Sequence, residues 1–267
     1  MHYFKLYVEF VKVKIMGIAE YRQAFIVGAL AQFVGYGAQF LLLWLLLDRF
    51  DSINGWSKYE VILLFSFNLI SYALAAFFLF NPTMNLSTMI KNGTFDEVLT
   101  KPLNSLLYLV CREFNSAYFS HLLLAGGFMT LAFTNLGISF SVLQLLFLIV
   151  TLIGAALIQG GLMLLIAVPA FWIVENSGLL DLFFRQARNF IQYPISIYNN
   201  VMQIILTFVL PYAFINFFPA QFFLGKDDFT IFHASFQYLT PVVGLLVMAI
   251  AYFVWLVGIK NYKSTGS

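Results

Sequence analysis

Charge is scarce in this chain. Only 10% of its 267 residues are Asp, Glu, Lys or Arg, against about 25% in a soluble domain. Cysteine is scarcer: Cys111 stands alone, which excludes an internal disulfide and a cysteine-rich metal site. The histidines His2, His121 and His233 are too scattered to hold a metal. No GxxxxGKS or GxxxxGKT loop occurs, so the chain does not bind ATP in the P-loop manner. HExxH and GxSxG are absent as well. The chain is expected to carry no catalytic site, cofactor or metal of its own, and nothing favours an intramembrane enzyme. No cleavage site follows an early apolar run, so the first span is expected to act as an uncleaved anchor.

What is present is apolar. The chain is 61% hydrophobic and 19% aromatic, with mean hydropathy +0.88. A membrane-spanning helix needs roughly 20 mainly apolar residues. Five uncharged stretches meet that length, and Phe114 to Val174 is long enough to cross twice. The expectation is an all-α membrane protein, a single domain over 1–267, with spans near 23–47, 61–80, 115–133, 142–168, 197–218 and 240–259. Asn81-Pro82 is expected to end the second span by removing a backbone donor. Thr134-Asn135-Leu136-Gly137 is the expected turn between the third and fourth.

Six spans put both termini on one side. Cytoplasmic termini place Lys5, Lys12, Lys14, Arg22, Lys91, Lys101, Arg112, Arg185, Arg188, Lys260 and Lys263 inside, and only Arg49, Lys58 and Lys226 outside. That bias fits the positive-inside rule. Trp44, Trp56, Trp172 and Tyr262 are expected to anchor the two interfaces.

Between the spans lie short amphipathic pieces. Residues 1–22 read as a basic interfacial helix, with the lysines also able to act as simple topology signals. In the loop 91–104, Thr94 is expected to cap a short helix with Asp96 and Glu97 in its first turn, and Pro102 to stop it. Its apolar residues Phe95, Val98 and Leu99 fit an ordinary connector and also a docking surface. Glu175 to Gln192 reads as a second interfacial helix on the same side. There Glu175 needs a partner, with Arg185 and Arg188 as candidates for an ion pair or gate; a solvated helix end is the plainer reading. The aromatic loop 219–240 is expected to dip into the outer leaflet.

Ion-coupled transporters usually place charge at mid-membrane. In this chain every charge falls at a span end or in a loop, and His121 is the one titratable imidazole within a span. A packing role suits it better than a proton relay. A gradient-driven transporter or a membrane sensor is therefore the alternative reading, and it would rest on His121. No internal repeat suggests an inverted-repeat transporter.

Several segments together carry a resemblance. They are Tyr21-Arg22, then Gly93-x-Phe95-Asp96-x-x-Leu99-x-Lys101-Pro102-Leu103-Asn104, then Phe171-Trp172-x-x-Glu175-Asn176 and Tyr193-Pro194-Ile195. Leu206-Thr207-Phe208 follows, leading to Pro211, Ala213-Phe214, Asn216 and Pro219-Ala220. The chain resembles the permease subunits of bacterial type-2 ATP-binding cassette (ABC) exporters over nearly its whole length. The resemblance implies the type-2 permease fold and a multi-pass protein of the bacterial cytoplasmic membrane. It implies two permeases, identical or related, around a pathway, and two copies of a separate ATPase that bind ATP and Mg beneath them. The helix from Thr94, Phe95, Asp96, Glu97, Val98 and Leu99 to Lys101 and Pro102 would be the coupling helix. The 219–240 loop would be a re-entrant cap. An amphipathic or hydrophobic cargo follows from the apolar aromatic pathway, and no nucleic acid is implied.

Overall fold

The computed structural model describes residues 2–20, 22–49, 52–173, 178, 187–226 and 231–263. It is helical throughout, apart from a hairpin of two-residue strands. Helices α1 (His2–Glu20) and α2 (Arg22–Arg49) lead to strands β1 (Ser52–Ile53) and β2 (Trp56–Ser57). Then come α3 (Lys58–Lys91), α4 (Phe95–Thr100), α5 (Ser105–Glu113), α6 (Phe119–Asn135) and α7 (Val142–Ala167). After these follow α8 (Asn200–Ile204), α9 (Phe217–Leu224) and α10 (Thr240–Asn261). Among the described residues, five helices are long and apolar enough to cross a membrane: those ending at Arg49, Lys91, Asn135, Phe171 and Asn261.

Helix α3 is the axis of the bundle, with 78% of its apolar window buried. A capping box between Ser57 and Glu60 starts it. Its 34 residues run about 51 Å at 1.5 Å each, well beyond a hydrocarbon core of about 30 Å. Asn81-Pro82 does not end it, contrary to the sequence expectation. Pro82 removes one backbone donor, but neighbouring groups bond the carbonyls around the gap. The Thr83 hydroxyl donates to the Leu79 and Phe80 carbonyls at 2.6 and 3.0 Å. The Asn115 backbone N–H donates to the Phe77 carbonyl at 2.8 Å, and its side chain reaches Asn81 at 3.2 Å. The chain before α6 thus splices the proline turn.

Lipid is as apolar as leucine, so membrane helices associate through close packing and polar contacts. Both occur around α3. The Gln159 amide of α7 donates to Asn68 Oδ1 at 3.1 Å and Ser71 Oγ at 3.4 Å. Helix α7 packs closely on α10 through glycines: Gly154 lies against Gly244, Gly161 against Val247 and Met248, and Gly258 of α10 against Val168 and Phe171. A Cβ on Gly154 would lie 2.6 Å from Pro241 Cα, and one on Gly161 would lie 2.9 Å from Val247 Cγ1.

Two apolar clusters mark the ends of the bundle. One gathers Trp56, Phe65, Phe67, Phe217 and Phe218 beside the β-hairpin. The other gathers Phe95, Tyr108, Tyr118, Phe171 and Trp255 beside α4. Helices α1 and α10 both reach the α4–α5 corner: Phe10 of α1 meets Tyr108 of α5 at 5.0 Å, and Tyr262 meets Phe95 at 5.2 Å between ring centres.

The fifth expected span, 197–218, is not one helix. The pieces Asn200–Val209 and Tyr212–Leu224 bend by 77° at their junction. Pro211 has no N–H to continue a helix, and the π-helical turn Ile205–Val209 ends on an extended Leu210. Both ends of this broken unit touch the same hairpin turn. The Asn54 amide donates to the Ser196 carbonyl at 3.0 Å, and Lys226 Nζ donates to the Gly55 carbonyl at 2.7 Å. The chain therefore enters and leaves at the hairpin end, as a re-entrant loop. Its irregular backbone survives because residues 211–221 are all buried.

Expectations for 175–192 change accordingly. Glu175 and Arg185 lie outside the described residues, as does most of the expected interfacial helix. Its described end, Ala187–Gln192, is a 3-10 segment, and Ile191 is fully buried in the hairpin-end cluster. Phe171 lies in the α4-end cluster, so Phe171 and Ile191 sit at opposite ends of the bundle. Gln192 is not on the α4 side, where the sequence reading put it.

Candidate functional site

The loop after α3 builds the most distinctive surface. Helix α3 stops at Lys91, and Gly93 takes φ +70°, which costs glycine little. Asp96 N–H closes back on the Gly93 carbonyl at 3.2 Å, and α4 runs for six residues. Thr94 does not cap it. Its own backbone is already helical, and its hydroxyl donates instead to the Met89 carbonyl at 3.3 Å. Asp96 and Glu97 occupy the first turn, where the helix dipole favours them.

The apolar side of α4 points inward. Phe95 is fully buried, with its ring against Phe171 at 5.2 Å, Tyr262 at 5.2 Å and Trp255 at 6.1 Å. Val98 is buried beside it. The surface presented outward is therefore Glu97, Leu99, Thr100 and Pro102, with Asp96 and Lys101 half-buried. A short amphipathic helix has one apolar stripe, and here the bundle takes most of it.

Helix α5 completes the platform. The Asn104 side chain caps it by accepting from Leu107 N–H at 3.0 Å. Trp255 Nε1 donates to Ser105 Oγ at 3.2 Å, so α10 holds the α4–α5 corner. Arg112 lies 3.5 Å from Glu97 and 3.2 Å from Glu113. Partial burial works against its charge. The Tyr108 hydroxyl and the Glu97 and Glu113 carboxylates more than offset this, and the guanidinium titrates above its ordinary value. Such exposed pairs add little stability; their role here is to set the charge pattern around Leu99.

At the other end, Lys226 forms a clasp. Its ammonium sits 2.9 Å from Glu60 Oε2, 2.7 Å from the Gly55 carbonyl and 4.6 Å from the Trp56 ring centre. Trp56 is fully buried beneath it rather than an interface anchor. Trp44 is the residue that carries an exposed-side cation contact, with Lys58 Nζ 3.4 Å above its ring.

The residues singled out in the fifth segment surround the re-entrant loop. Pro194, Pro211, Asn216 and Pro219 are all buried. Pro211 sits at the bend, and the Asn216 amide donates to the Ile191 carbonyl at 2.5 Å and the Leu64 carbonyl at 3.4 Å. Asn216 thus ties the loop to both α3 and the 187–192 segment. Glu175 and Arg185 are outside the described residues, and the Arg188 side chain is not described, so no ion pair is assigned to them. His121 is buried with its ring 4.1 Å from Tyr36 and 4.9 Å from Tyr118.

Sequence reasoning did not find the anchor of α4. In the sequence Phe171 is one residue of a longer motif and Trp255 one of many aromatics. Their signal was weak because they are aromatic residues among many.

A family model described as ABC-2 family transporter protein matches residues 33–266. The chain belongs to the ABC-2 transporter family. No curated protein and no solved structure matches it. An ABC-2 family protein of this kind is the permease component of an ABC transporter, a multi-pass membrane protein distinct from the ATPase. The α4–α5 platform and the re-entrant loop are therefore features of an ABC-2 permease.

Proposed function

We propose that this ABC-2 chain lines the translocation pathway of an ATP-driven bacterial exporter and receives its energy through α4. A second permease, identical or related, would complete the pathway. Separate ATPase subunits, holding ATP and Mg, would dock against the outward residues Glu97, Leu99, Thr100 and Pro102. The observation that carries this reading is the anchoring of α4. A six-residue helix that projects from the bundle, yet is held by Phe95 among Phe171, Trp255 and Tyr262, passes a push on its outer face directly into α10.

On this reading the α4 end faces the cytoplasm, together with Lys91, Lys101, Arg112 and Lys260, while Arg49, Lys58 and Lys226 lie outside. ATP binding would favour one arrangement of the docked α4 helices and shift the permease pair between two states. An apolar, aromatic pathway suits an amphipathic or hydrophobic cargo better than a hydrated ion.

Co-purification with the genetically neighbouring ATPase tests this. Leu99→Glu combined with Glu97→Lys alters only exposed residues of α4, so the permease should insert normally and lose the ATPase. Full retention of the ATPase by that variant overturns the assignment of α4 as the docking element.

A further inference from the structure

A cleft of about 630 Å³ opens between α3, α7, α10 and α5, within the size range of small-molecule sites, roughly 300–1,000 Å³. Leu74, Phe78, Ile153 and Leu157 line it at the middle of α3 and α7, and Leu107 and Val110 of α5 close its lower end. Only Asn104 and Tyr252 bring polar side chains to its wall. Phe78, Leu107 and Ile153 are exposed at its rim, at 49%, 45% and 52%.

The position of the cleft decides its occupant. Its upper walls belong to three helices that cross the bilayer, so it opens into hydrocarbon. An empty cleft there would forfeit dispersion contacts along its whole lining. Its lower end lies at the water interface, because α5 turns Leu107 and Val110 to the cleft while it carries Arg112 and Glu113 as an ion pair at 3.2 Å. At that level the Asn104 amide donates to the Tyr252 hydroxyl at 2.6 Å. Tyr252 accepts this bond, so its own proton can donate to a carbonyl at the mouth of the cleft. An apolar slot ending in one hydroxyl donor at interfacial depth matches an acyl chain joined to its ester.

We propose that this cleft binds one acyl chain of a phospholipid from the α4-side leaflet, with the chain along Leu74, Phe78 and Ile153 and the ester carbonyl on Tyr252. The bound chain braces α5, and α5 follows α4 directly. The cleft needs no ATPase, so its failure would leave the exporter reading untouched.

The full-length permease is reconstituted in phosphatidylethanolamine and phosphatidylglycerol vesicles that contain a phosphatidylcholine bearing a diazirine midway along one acyl chain. After photolysis, adducts are mapped by peptide mass spectrometry. Adducts should concentrate on the cleft residues of α3, α5 and α7 over the exposed face of α2 at Leu30, Leu41 and Leu45. Ala156→Phe, which fills the cleft, should remove that enrichment and leave the α2 labelling unchanged. Tyr252→Phe should lower the enrichment. Equal labelling of cleft and α2 in the wild type means bulk lipid contact only and overturns the proposal, whether or not the variants insert. Enrichment that survives Ala156→Phe overturns it too, and enrichment indifferent to Tyr252→Phe removes the ester contact.

Discussion

The two ends of this permease are held by different physics. At the α4 end, aromatic rings do the holding: Phe95, Phe171, Trp255 and Tyr262 meet edge to face, and the charges lie outside the cluster on exposed Glu97 and half-buried Lys101. At the hairpin end, phenylalanines such as Phe214, Phe218 and Phe236 also cluster. There, however, the loop is tied down by polar contacts: Lys226 to Glu60 and Gly55, Asn54 to Ser196, and Asn216 to Ile191 and Leu64. Edge-to-face rings keep their contacts when they move together. A hydrogen bond weakens steeply when stretched or bent by a fraction of an ångström or tens of degrees. On the proposed reading, the α4 end would pass on a small displacement as a unit, and the hairpin end would hold until its polar contacts break.

That contrast can be broken from either side. The largest effect is expected for Phe95→Ala, which should cost about 3–5 kcal/mol of stability as a buried aromatic truncation. It should lower the thermal midpoint in detergent and loosen α4. A midpoint equal to wild type would mean that the ring cluster does not anchor α4. Lys226→Met should cost less, about 1–3 kcal/mol, because the pair with Glu60 is only partly buried. Its signature should be local: faster hydrogen exchange in 217–226 and unchanged exchange in α4. Exchange that rises equally at both ends would dissolve the distinction between them. Smaller still is the contrast between two possible caps. Asn104→Ala should cost about 1 kcal/mol, as an N-cap that accepts from Leu107. Thr94→Ala should stay within about 0.5 kcal/mol, since its hydroxyl caps nothing in α4. Finally, His121→Phe should preserve transport by the assembled complex, because the ring packs between two tyrosines. Abolished transport in a folded variant would revive a gradient-driven mechanism.

Some of these features were visible in the order of the residues. Uncharged runs flanked by lysine and arginine report membrane helices, because charge is costly in hydrocarbon and the backbone must bond internally there. The loop around Gly93, Asp96, Glu97 and Pro102 stands out for its polarity in so apolar a chain. The direction of Phe95 did not stand out, because the same pattern serves a stripe turned to a partner and one turned to the bundle. Pro82 and Pro211 make the same point. In the sequence, Pro82 reads as the end of a span and Pro211 falls inside one. The first is spliced by Thr83 and Asn115, and the second turns the chain through 77°. The difference lies in neighbours distant in sequence.

The sequence by itself determined that this is an all-α membrane protein, because hydropathy and charge act residue by residue along the chain; its family follows from the match over residues 33–266. Only the tertiary structure decided that 200–224 enters and leaves at one end, that Phe95 and Val98 face inward, and that Trp56 lies beneath Lys226. In a bilayer both the lipid-facing side and the packed side of a helix are apolar, so periodicity cannot separate them. The contacts among residues far apart in the chain do.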